Sequence, residues 1–450
     1  MVSAVVLALL AGSLHAPHGV APPPMMVRKN IRSLSATETQ GLRDAVAAMQ
    51  ALPATDPCSW DYQANIHFTR CDHSVEYWLP WHRMYLHYFE KILVAKSGGK
   101  LHGLPYWDYT QSTETTFPGK YYPANYTSGG TSHPNSLHYT PRTNVTSATF
   151  ALDFGSTDVT ADDSNLVFDG FSGGLQSAPH NYVHVAIGGT MGNFHSPEDP
   201  IFWAHHAVLD RQWAKWVGMG GGRANPTWDS TWMNTSFSFP DYDNGCKMAS
   251  LRVQDVLDPE TQLNYKYEDE TKLLSPLPWW KWILLIPPLI LPDPPPYTFG
   301  VGPLNMQIQL PPIAIRNLTA ALGRTKHPLN VVLNFHVLKG ESTPGPFEMF
   351  VTSASGQQVR LGTLAVFGMS QERMAGHSHS MPGMFKLTLS PQASADLLGV
   401  LRRGKVQVSF NPMTKNAAGQ ASAPPLVMAL ESIAVMESVP VDQNGNQIKG

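Results

Sequence analysis

The residues of this chain that could do chemistry are histidines gathered in two short stretches. Of the 18 histidines, the candidate ligands there are His67, His73, His82, His180, His184, His205 and His206. Imidazole is the commonest protein ligand for borderline transition metals. Each stretch offers three credible ligand nitrogens, so the pattern predicts a site with two metal ions.

The spacing within the second stretch favours metal binding over scattered core histidines. His180 and His184 are four residues apart, which on a helix places their Cβ atoms about 5 to 6 Å apart on one face. His206 is followed by Asp210 four residues later and by Trp213 seven residues later, which gives it an inward face and a carboxylate neighbour. Together these positions predict a set of three nitrogens.

The residue types also narrow the choice of metal. Neutral imidazoles without clustered carboxylates or a cysteine pair suit copper or zinc and argue against magnesium, calcium or an iron-sulfur cluster. Zinc hydrolases commonly add carboxylate ligands, whereas the acidic neighbours here are placed to support the histidines. We therefore predict two copper ions per chain, with a zinc hydrolase as the alternative.

Apolar spacing predicts the elements that position these histidines. The helical pattern covers four segments: 36–52, 81–95, 181–187 and 201–217. Between Tyr109 and Leu175 the chain is rich in Thr, Ser, Asn, Pro and Gly, which predicts long ordered loops. Beyond Gly300, short β-prone runs separated by turn residues predict a small β-sandwich or barrel.

These elements predict a mainly α catalytic domain, with a four-helix-bundle core, followed by a C-terminal β-sandwich domain. The expected boundaries are a leader at 1–26, the catalytic domain at 27–270, a Pro-rich apolar linker at 271–300 and the β-domain at 301–450. Prolines interrupt the apolar linker, so we expect it to run along the surface of the first domain and to form no membrane span.

Composition limits the partners and the compartment. A net charge of -3 and a pI near 6.6 provide no basic field, which argues against a nucleic-acid partner. Three cysteines are too few for a disulfide-built scaffold; Cys58 and Cys246 form either a disulfide or two free thiols. The apolar run VVLALLAG near the start predicts a secreted or exported protein, although the usual basic residues before it are absent.

Four segments resemble the tyrosinase and polyphenol oxidase family of type-3 copper proteins: LPWHRMYLHYFE, GLPYWDYT, PHNYVHVAIGG and DPIFWAHHAVLDRQW. The resemblance covers residues 27–269, and the segment LGTLAVFGM resembles the family's C-terminal β-domain more loosely. It implies a catechol oxidase or tyrosinase-type polyphenol oxidase. Its substrates would be small phenols and O2: o-diphenols become o-quinones while O2 is reduced to water.

The resemblance also implies a role for each histidine. The first copper would be bound by His67, His73 and His82, and the second by His180, His184 and His206. His205 would then be the member of its pair that does not bind. This agrees with helix geometry, since two adjacent helical residues point in different directions.

Cys71 stands two residues before His73. This resembles the part of the family in which such a cysteine forms a thioether bond to a copper-bound histidine. The alternative is a small buried thiol without a function.

Three further residues correspond to positions around the family's second copper. Asn181 matches an asparagine that holds a water molecule, and Gln176 replaces the glutamate that normally acts with it. A glutamine cannot take a proton at neutral pH, so we predict diphenol oxidation with weak or absent monophenol hydroxylation. Phe194 resembles the bulky gate residue above the second copper; a core aromatic is the alternative.

The tail and two other functions complete the predictions. By resemblance, the C-terminal domain covers the copper pocket and keeps the enzyme latent. The segment MAGHSHSMPGM offers His377 and His379 with three methionines, for transient copper binding or as a solvated loop.

The alternatives to a catechol oxidase are a full tyrosinase (monophenol monooxygenase) and a hemocyanin-like reversible O2 carrier. The lack of internal repeats argues against the carrier.

Overall fold

The computed structural model describes residues 24–163 and 167–269, and beyond them a set of shorter segments. These are residues 279–284, 289–290, 297–299, 304–308, 316, 319–320, 329–339, 347–353, 356, 358–364, 383–389, 406–412 and 426–441. The leader (except residues 24–26) and the His377/His379 segment lie outside the described residues. No helix in the described part of the chain is long and apolar enough to cross a membrane.

The region up to residue 269 is mainly helical. Its α-helices are α1 Ala36–Gln50, α2 Trp60–Arg70, α3 Trp78–Lys96, α4 Phe154–Thr157, α5 Thr160–Asp163, α6 Phe168–Leu175, α7 Tyr182–Ile187, α8 Ile201–Gly218, α9 Ser230–Asn234 and α10 Pro259–Leu263. A π-helical turn, Gln176–Asn181, joins α6 to α7. The four helices predicted from spacing are confirmed within a few residues at each end.

Helix α2 was not predicted, although it carries His67. Its start is clear in retrospect, because the Ser59 side chain accepts a hydrogen bond from the backbone N–H of Tyr62. Its buried face, however, includes Gln63 and His67 among the apolar residues. These polar side chains interrupt the hydrophobic pattern on which the sequence interpretation depended.

A buried ionic network holds the helical core together. Arg28 on strand β1 (Met26–Arg28) pairs with Glu90 at 2.7 Å and with Asp210 at 2.9 Å, and Asp210 also pairs with Arg83 at 2.5 Å. Tyr267, on strand β6 (Tyr265–Tyr267), donates to Asp210 at 2.6 Å. Removing one partner would leave an unpaired buried charge, at a cost of about 3 to 5 kcal/mol. The network fixes α3 against α8, the two long helices that carry His82 and His206.

The pairing of two cysteines, left open by the sequence, is decided by the fold. Cys58 and Cys246 form a disulfide with their Cα atoms 5.8 Å apart. It joins the segment before α2 to the hairpin of β4 (Ser236–Asp241) and β5 (Lys247–Arg252). Cys71 lies outside this disulfide and is partly buried.

The remaining strands form one small hairpin and two larger sheets. They are β2 Asn125–Ser128, β3 Thr131–Pro134, β7 Trp279–Leu284, β8 Leu289–Ile290, β9 Tyr297–Phe299, β10 Leu304–Ile308, β11 Leu329–Lys339, β12 Phe347–Ser353, β13 Gln358–Leu364, β14 Gly383–Leu389, β15 Val406–Pro412 and β16 Leu426–Val441. One sheet has the order β10-β15-β12-β13; the other has β14-β11-β16-β7, with β8 and β9 also on β16. The predicted mainly α region followed by a β region is confirmed.

The structure differs from the prediction in two segments. Within the expected linker at 271–300, Trp279–Leu284 is a sheet strand paired antiparallel with Val441–Met436 of β16. Its β-prone aromatic and branched residues gain backbone partners that come from the far end of the chain. The loop region predicted from Tyr109 to Leu175 also contains α6 and the β2–β3 hairpin.

Candidate metal centre

The two histidine stretches meet in the interior of the helical region. His67 lies on α2, His73 in the loop before α3, His82 on α3, His180 in the π-helical turn, His184 on α7 and His206 on α8. All six side chains are buried, with at most 5% of their surface exposed. Tertiary folding therefore brings together histidines that are up to 139 positions apart (206 − 67).

The second set, His180, His184 and His206, converges on one point, and the first set is His67, His73 and His82. The Nε2 atoms of His184 and His206 are 3.2 Å apart, and the rings of His180 and His184 have centroids 4.7 Å apart. Ring nitrogens of His180, His184, His205 and His206 all lie within 4.8 Å of one another. This spacing suits several nitrogens bound to one ion.

The first set lies beside it. Metal-binding atoms of His67, Cys71 and His73 lie within 4.8 Å of one another. The ring centroid of His82 is 5.5 Å from that of His67 and 5.1 Å from that of His73. His82 in turn stacks on His206, with centroids 4.4 Å apart and planes at 10°, so the two sets are adjacent.

Hydrogen bonds orient three of these rings towards the shared space. The Nδ1 atoms of His67, His82 and His184 contact the backbone carbonyl oxygens of Phe194 (2.9 Å), Trp78 (2.7 Å) and Met191 (2.7 Å). A carbonyl can only accept, so each Nδ1 carries the hydrogen and each Nε2 keeps its lone pair. The Nε2 atom of His82 has no hydrogen-bond partner among the described residues, as suits an atom that binds a metal. The donor set thus fits copper.

Burial keeps the imidazoles neutral. Desolvation, with the nearby His180 as a smaller cause, lowers the pKa of His82 to about 3. Desolvation also lowers the pKa of His180 to about 4, and lowers the pKa values of His184 and His206 well below the usual range. Their nitrogens are therefore available to a metal ion at neutral pH.

A tight double-glycine turn places the carbonyl that orients His184. Gly188 and Gly189 follow α7 with φ values of 71° and 64°, a region that favours glycine. A Cβ atom on Gly189 would collide with the carbonyl oxygen of Pro141. The turn returns the chain so that Met191 faces His184, and it then leads into Phe194.

The structure gives Asn181 and Gln176 defined partners. The Asn181 amide oxygen accepts from His180 Nδ1 at 2.8 Å, so Asn181 orients a member of the second set. The Gln176 amide donates to the backbone carbonyl of His73 at 2.7 Å. Gln176 therefore links the start of the second stretch to the loop that carries a first-set histidine.

Phe194 lies close to two histidines of the first set. Its ring centroid is 5.8 Å from that of His67 and 5.4 Å from that of His73, and the side chain is 8% exposed. The role of Phe194 as a gate residue stays a prediction.

Sequence reasoning missed Tyr109. Its hydroxyl lies 2.7 Å from Nδ1 of His205, and both side chains are fully buried. Burial, and to a smaller degree Asp108, raises the pKa of Tyr109 well above its usual value, so the phenol keeps its proton. The motif GLPYWDYT contained Tyr109, but no local pattern linked it to a histidine 96 positions away.

Comparisons with known proteins agree with this geometry. The family model for the common central domain of tyrosinase matches residues 57–165 and 134–219, and the polyphenol oxidase middle domain matches residues 227–282. A tyrosinase from Hahella sp. is 28% identical over 416 residues, covering 77% of this chain and 86% of that protein. The latent polyphenol oxidase of Prunus armeniaca is 32% identical, over 53% of this chain and 46% of that protein.

Solved structures share the fold across both regions. Latent aurone synthase, a polyphenol oxidase, superposes with a TM-score of 0.63 at 19% identity, covering 93% of this chain and 91% of that one. Hemocyanin from Rapana thomasiana superposes with a TM-score of 0.56 at 16% identity, covering 91% of this chain and 100% of that one. The chain spans about half the length of the plant relatives that it matches.

The buried histidine sets, their orientation and the matches to both family models lead to one assignment. Residues 57–219 and 227–282 carry the matched domains of the tyrosinase and polyphenol oxidase family of type-3 copper proteins, whose members bind two copper ions.

Proposed function

We propose that this protein oxidises o-diphenols to o-quinones: two catechol molecules and one O2 give two o-quinones and two water molecules. When bound, two copper ions supply the route by which electrons pass from the diphenol to O2. The observation that carries the proposal is the convergence of two buried sets of imidazoles.

The proposed ligands are His67, His73 and His82 for one ion and His180, His184 and His206 for the other. Support for the second set comes from the 3.2 Å separation of the Nε2 atoms of His184 and His206. Support for the first comes from the carbonyls that hold Nδ1 of His67 and His82. The proteins with matching sequences include several named polyphenol oxidases and one named tyrosinase.

The protein itself binds the phenol and excludes water. Phe194 borders the first set and would contact the ring of a phenol that enters there. The buried aromatic surroundings exclude water, which protects the quinone-forming step from side reactions. Diphenol oxidation asks little acid–base help from the side chains.

Hydroxylation of a monophenol requires a general base. A phenol has a pKa near 10, so a base must remove its proton near the metal. Gln176 cannot act as that base, and its amide donates to the carbonyl of His73. We therefore propose that monophenol hydroxylation is weak or absent, with a full tyrosinase as the alternative.

The test is copper analysis followed by oxygen uptake with catechol and then with a monophenol. We expect two copper atoms per chain, catechol-dependent uptake and at least about tenfold slower uptake with the monophenol. His206→Gln should lose one copper and the uptake, whereas His102→Gln, at an exposed position, should keep both.

Each contrary result has a distinct meaning. Rapid monophenol uptake would establish the tyrosinase alternative. Reversible oxygen binding without loss of catechol would establish an oxygen carrier. A protein that binds no copper would contradict the proposal as a whole.

We propose further that the C-terminal β region keeps the enzyme latent. Strands β13 and β14 contact the π-helical turn that carries His180, and β14 also contacts α6. Limited proteolysis within residues 271–300 should therefore raise catechol uptake several-fold. Unchanged uptake after complete cleavage and separation of the two parts would contradict this role.

Export is proposed from the apolar N-terminal run. Several plant relatives are named as chloroplastic proteins. Fractionation of the source cells, with N-terminal sequencing of the mature protein, tests the proposal; a protein that keeps residue 1 inside the cell would contradict it.

A further inference from the structure

The second set holds one histidine more than a three-nitrogen site needs. His205 and His206 are neighbours on α8, yet both place a ring nitrogen within 4.8 Å of those of His180 and His184. Helix geometry therefore does not separate the two, contrary to the expectation from sequence. Something else must decide which of the adjacent pair binds the metal.

Hydrogen bonding distinguishes His205 from the other rings. Nδ1 of His67, of His82 and of His184 each face a backbone carbonyl, which only accepts. Nδ1 of His205 instead faces the hydroxyl of Tyr109 at 2.7 Å, and a hydroxyl can donate as well as accept.

The direction of this hydrogen bond follows from the number of buried polar groups that each direction would leave without a hydrogen-bond partner. Within the described part of the chain, the Tyr109 hydroxyl has no partner besides His205, and Nε2 of His205 has none. If Tyr109 donates, one buried group stays unmet, the Nε2–H of His205. If His205 donates, two stay unmet, the phenol hydrogen and the Nε2 lone pair. Unmet buried polar groups cost free energy, so donation by Tyr109 is favoured.

We propose that Tyr109 is a positioning residue that holds His205 with its hydrogen on Nε2 and so excludes His205 from the metal, leaving His206 as the ligand. This inference rests on the proposed copper site and deepens it. A nitrogen that carries a hydrogen has no lone pair for a metal ion. The Nε2 atom of His206 lies 3.2 Å from that of His184, close enough for both to reach one ion.

The proposal also explains the surroundings of Tyr109. Its side chain is fully buried, where an unmet hydroxyl would be costly, and its carbon ring packs against Trp107 with centroids 5.2 Å apart. Phenylalanine would keep this packing and would lose the hydrogen bond alone. Tyr109→Phe is therefore the sharpest variant.

The first experiment determines the protonated nitrogen of His205 by 15N NMR on the full chain with labelled histidine, both metal-free and with diamagnetic Cu(I). The resonance is assigned by its loss in His205→Gln. We expect the hydrogen on Nε2 in the native chain and a shift to a mixture, or to Nδ1, in Tyr109→Phe. Tyr85→Phe is the control, because that buried hydroxyl donates to the backbone carbonyl of Gln63; it should leave His205 unchanged.

The second experiment asks whether His205 can replace its neighbour. His206→Ala should weaken copper binding at the second site. Adding Tyr109→Phe should then raise the copper affinity of that site at least about tenfold, because His205 becomes able to bind. Adding Tyr85→Phe instead should restore none. Adding His205→Ala to the rescued variant should remove the gain.

The outcomes separate this inference from the proposed function. Hydrogen on Nδ1 of His205 in the native chain, or on Nε2 in both the native chain and Tyr109→Phe, overturns the role of Tyr109 even if two copper ions bind. Absence of bound copper overturns the proposed function, while the metal-free NMR result still decides the role of Tyr109.

Discussion

The two histidine sets differ in where their support comes from. In the second set, the oriented nitrogens use partners from the same stretch: His180 contacts Asn181, and His184 contacts Met191. In the first set, His67 is held by the carbonyl of Phe194, and the carbonyl of His73 accepts from Gln176. Both of these supports belong to the second stretch.

This difference indicates that the first set depends on the second stretch for support. The segment from 176 to 194 supports its own histidines and also two of the first set. Displacement of the backbone of this segment should therefore affect both copper positions, whereas damage within the first stretch should remain local. Each set also holds one surplus donor, Cys71 in the first and His205 in the second.

The largest effect should come from removing a ligand. We expect His67→Ala and His184→Ala each to lower catechol oxidation more than about 100-fold, since even supporting residues around a metal contribute 10- to 100-fold. Copper analysis should show one ion per chain in each variant. Loss of both ions from His67→Ala would contradict the difference between the two sets, because the second set is expected to bind copper without the first.

The next largest effect should come from Gly189→Ala. An alanine in the left-handed backbone region, together with the collision of its Cβ atom with Pro141, should lower the free energy of unfolding by at least about 2 kcal/mol. Denaturant titration measures this loss. Because this turn precedes both Met191 and Phe194, copper affinity should fall at both sets.

Gly130→Ala is the matched control for that variant. Gly130 has a φ of 79° and open space around a Cβ atom, so only about 1 kcal/mol should be lost and copper binding should stay. Equal losses of copper in the two variants would contradict the special role of the Gly189 turn.

A smaller effect is expected from Gln176→Glu. A carboxylate would face the carbonyl of His73 without a hydrogen to donate, at a cost of about 1 to 3 kcal/mol. The change lies in the second stretch, yet the first copper should be the one that is weakened, as measured by copper titration. Gln262→Glu, at an exposed glutamine whose amide donates to Gln254, should change little.

The smallest effect should come from Cys71→Ser. Mass spectrometry of the native peptide should show the loss of two hydrogen atoms if a thioether joins Cys71 to His73. The variant should keep two copper ions, with oxidation reduced by about tenfold or less. A native peptide of unaltered mass would leave Cys71 as a partly buried thiol.

Much of the metal centre could be predicted from local spacing. The four-residue separation predicted that His180 and His184 meet, and their ring centroids are 4.7 Å apart, although His180 lies in the π-helical turn and only His184 on α7. The helix at 201–217 carries His206 inward. Residue type then limited the metal to copper or zinc. These features depend on a few neighbouring residues, and so they are readable from the sequence.

Other features depend on residues far apart in the chain. His67 and Phe194 are separated by 127 positions, Gln176 and His73 by 103, and Tyr109 and His205 by 96. No periodicity records such pairs, because their contact is set by how the helices pack.

The sequence by itself therefore determined the chemistry of the centre: two sets of imidazole donors for two copper ions. Only the tertiary structure decided which groups orient each donor, that Phe194 borders the first set, and that both His205 and His206 reach the second. The physical reason is that a side chain's type and helical phase are local properties, whereas its hydrogen-bond partner in a packed interior is chosen by the whole fold.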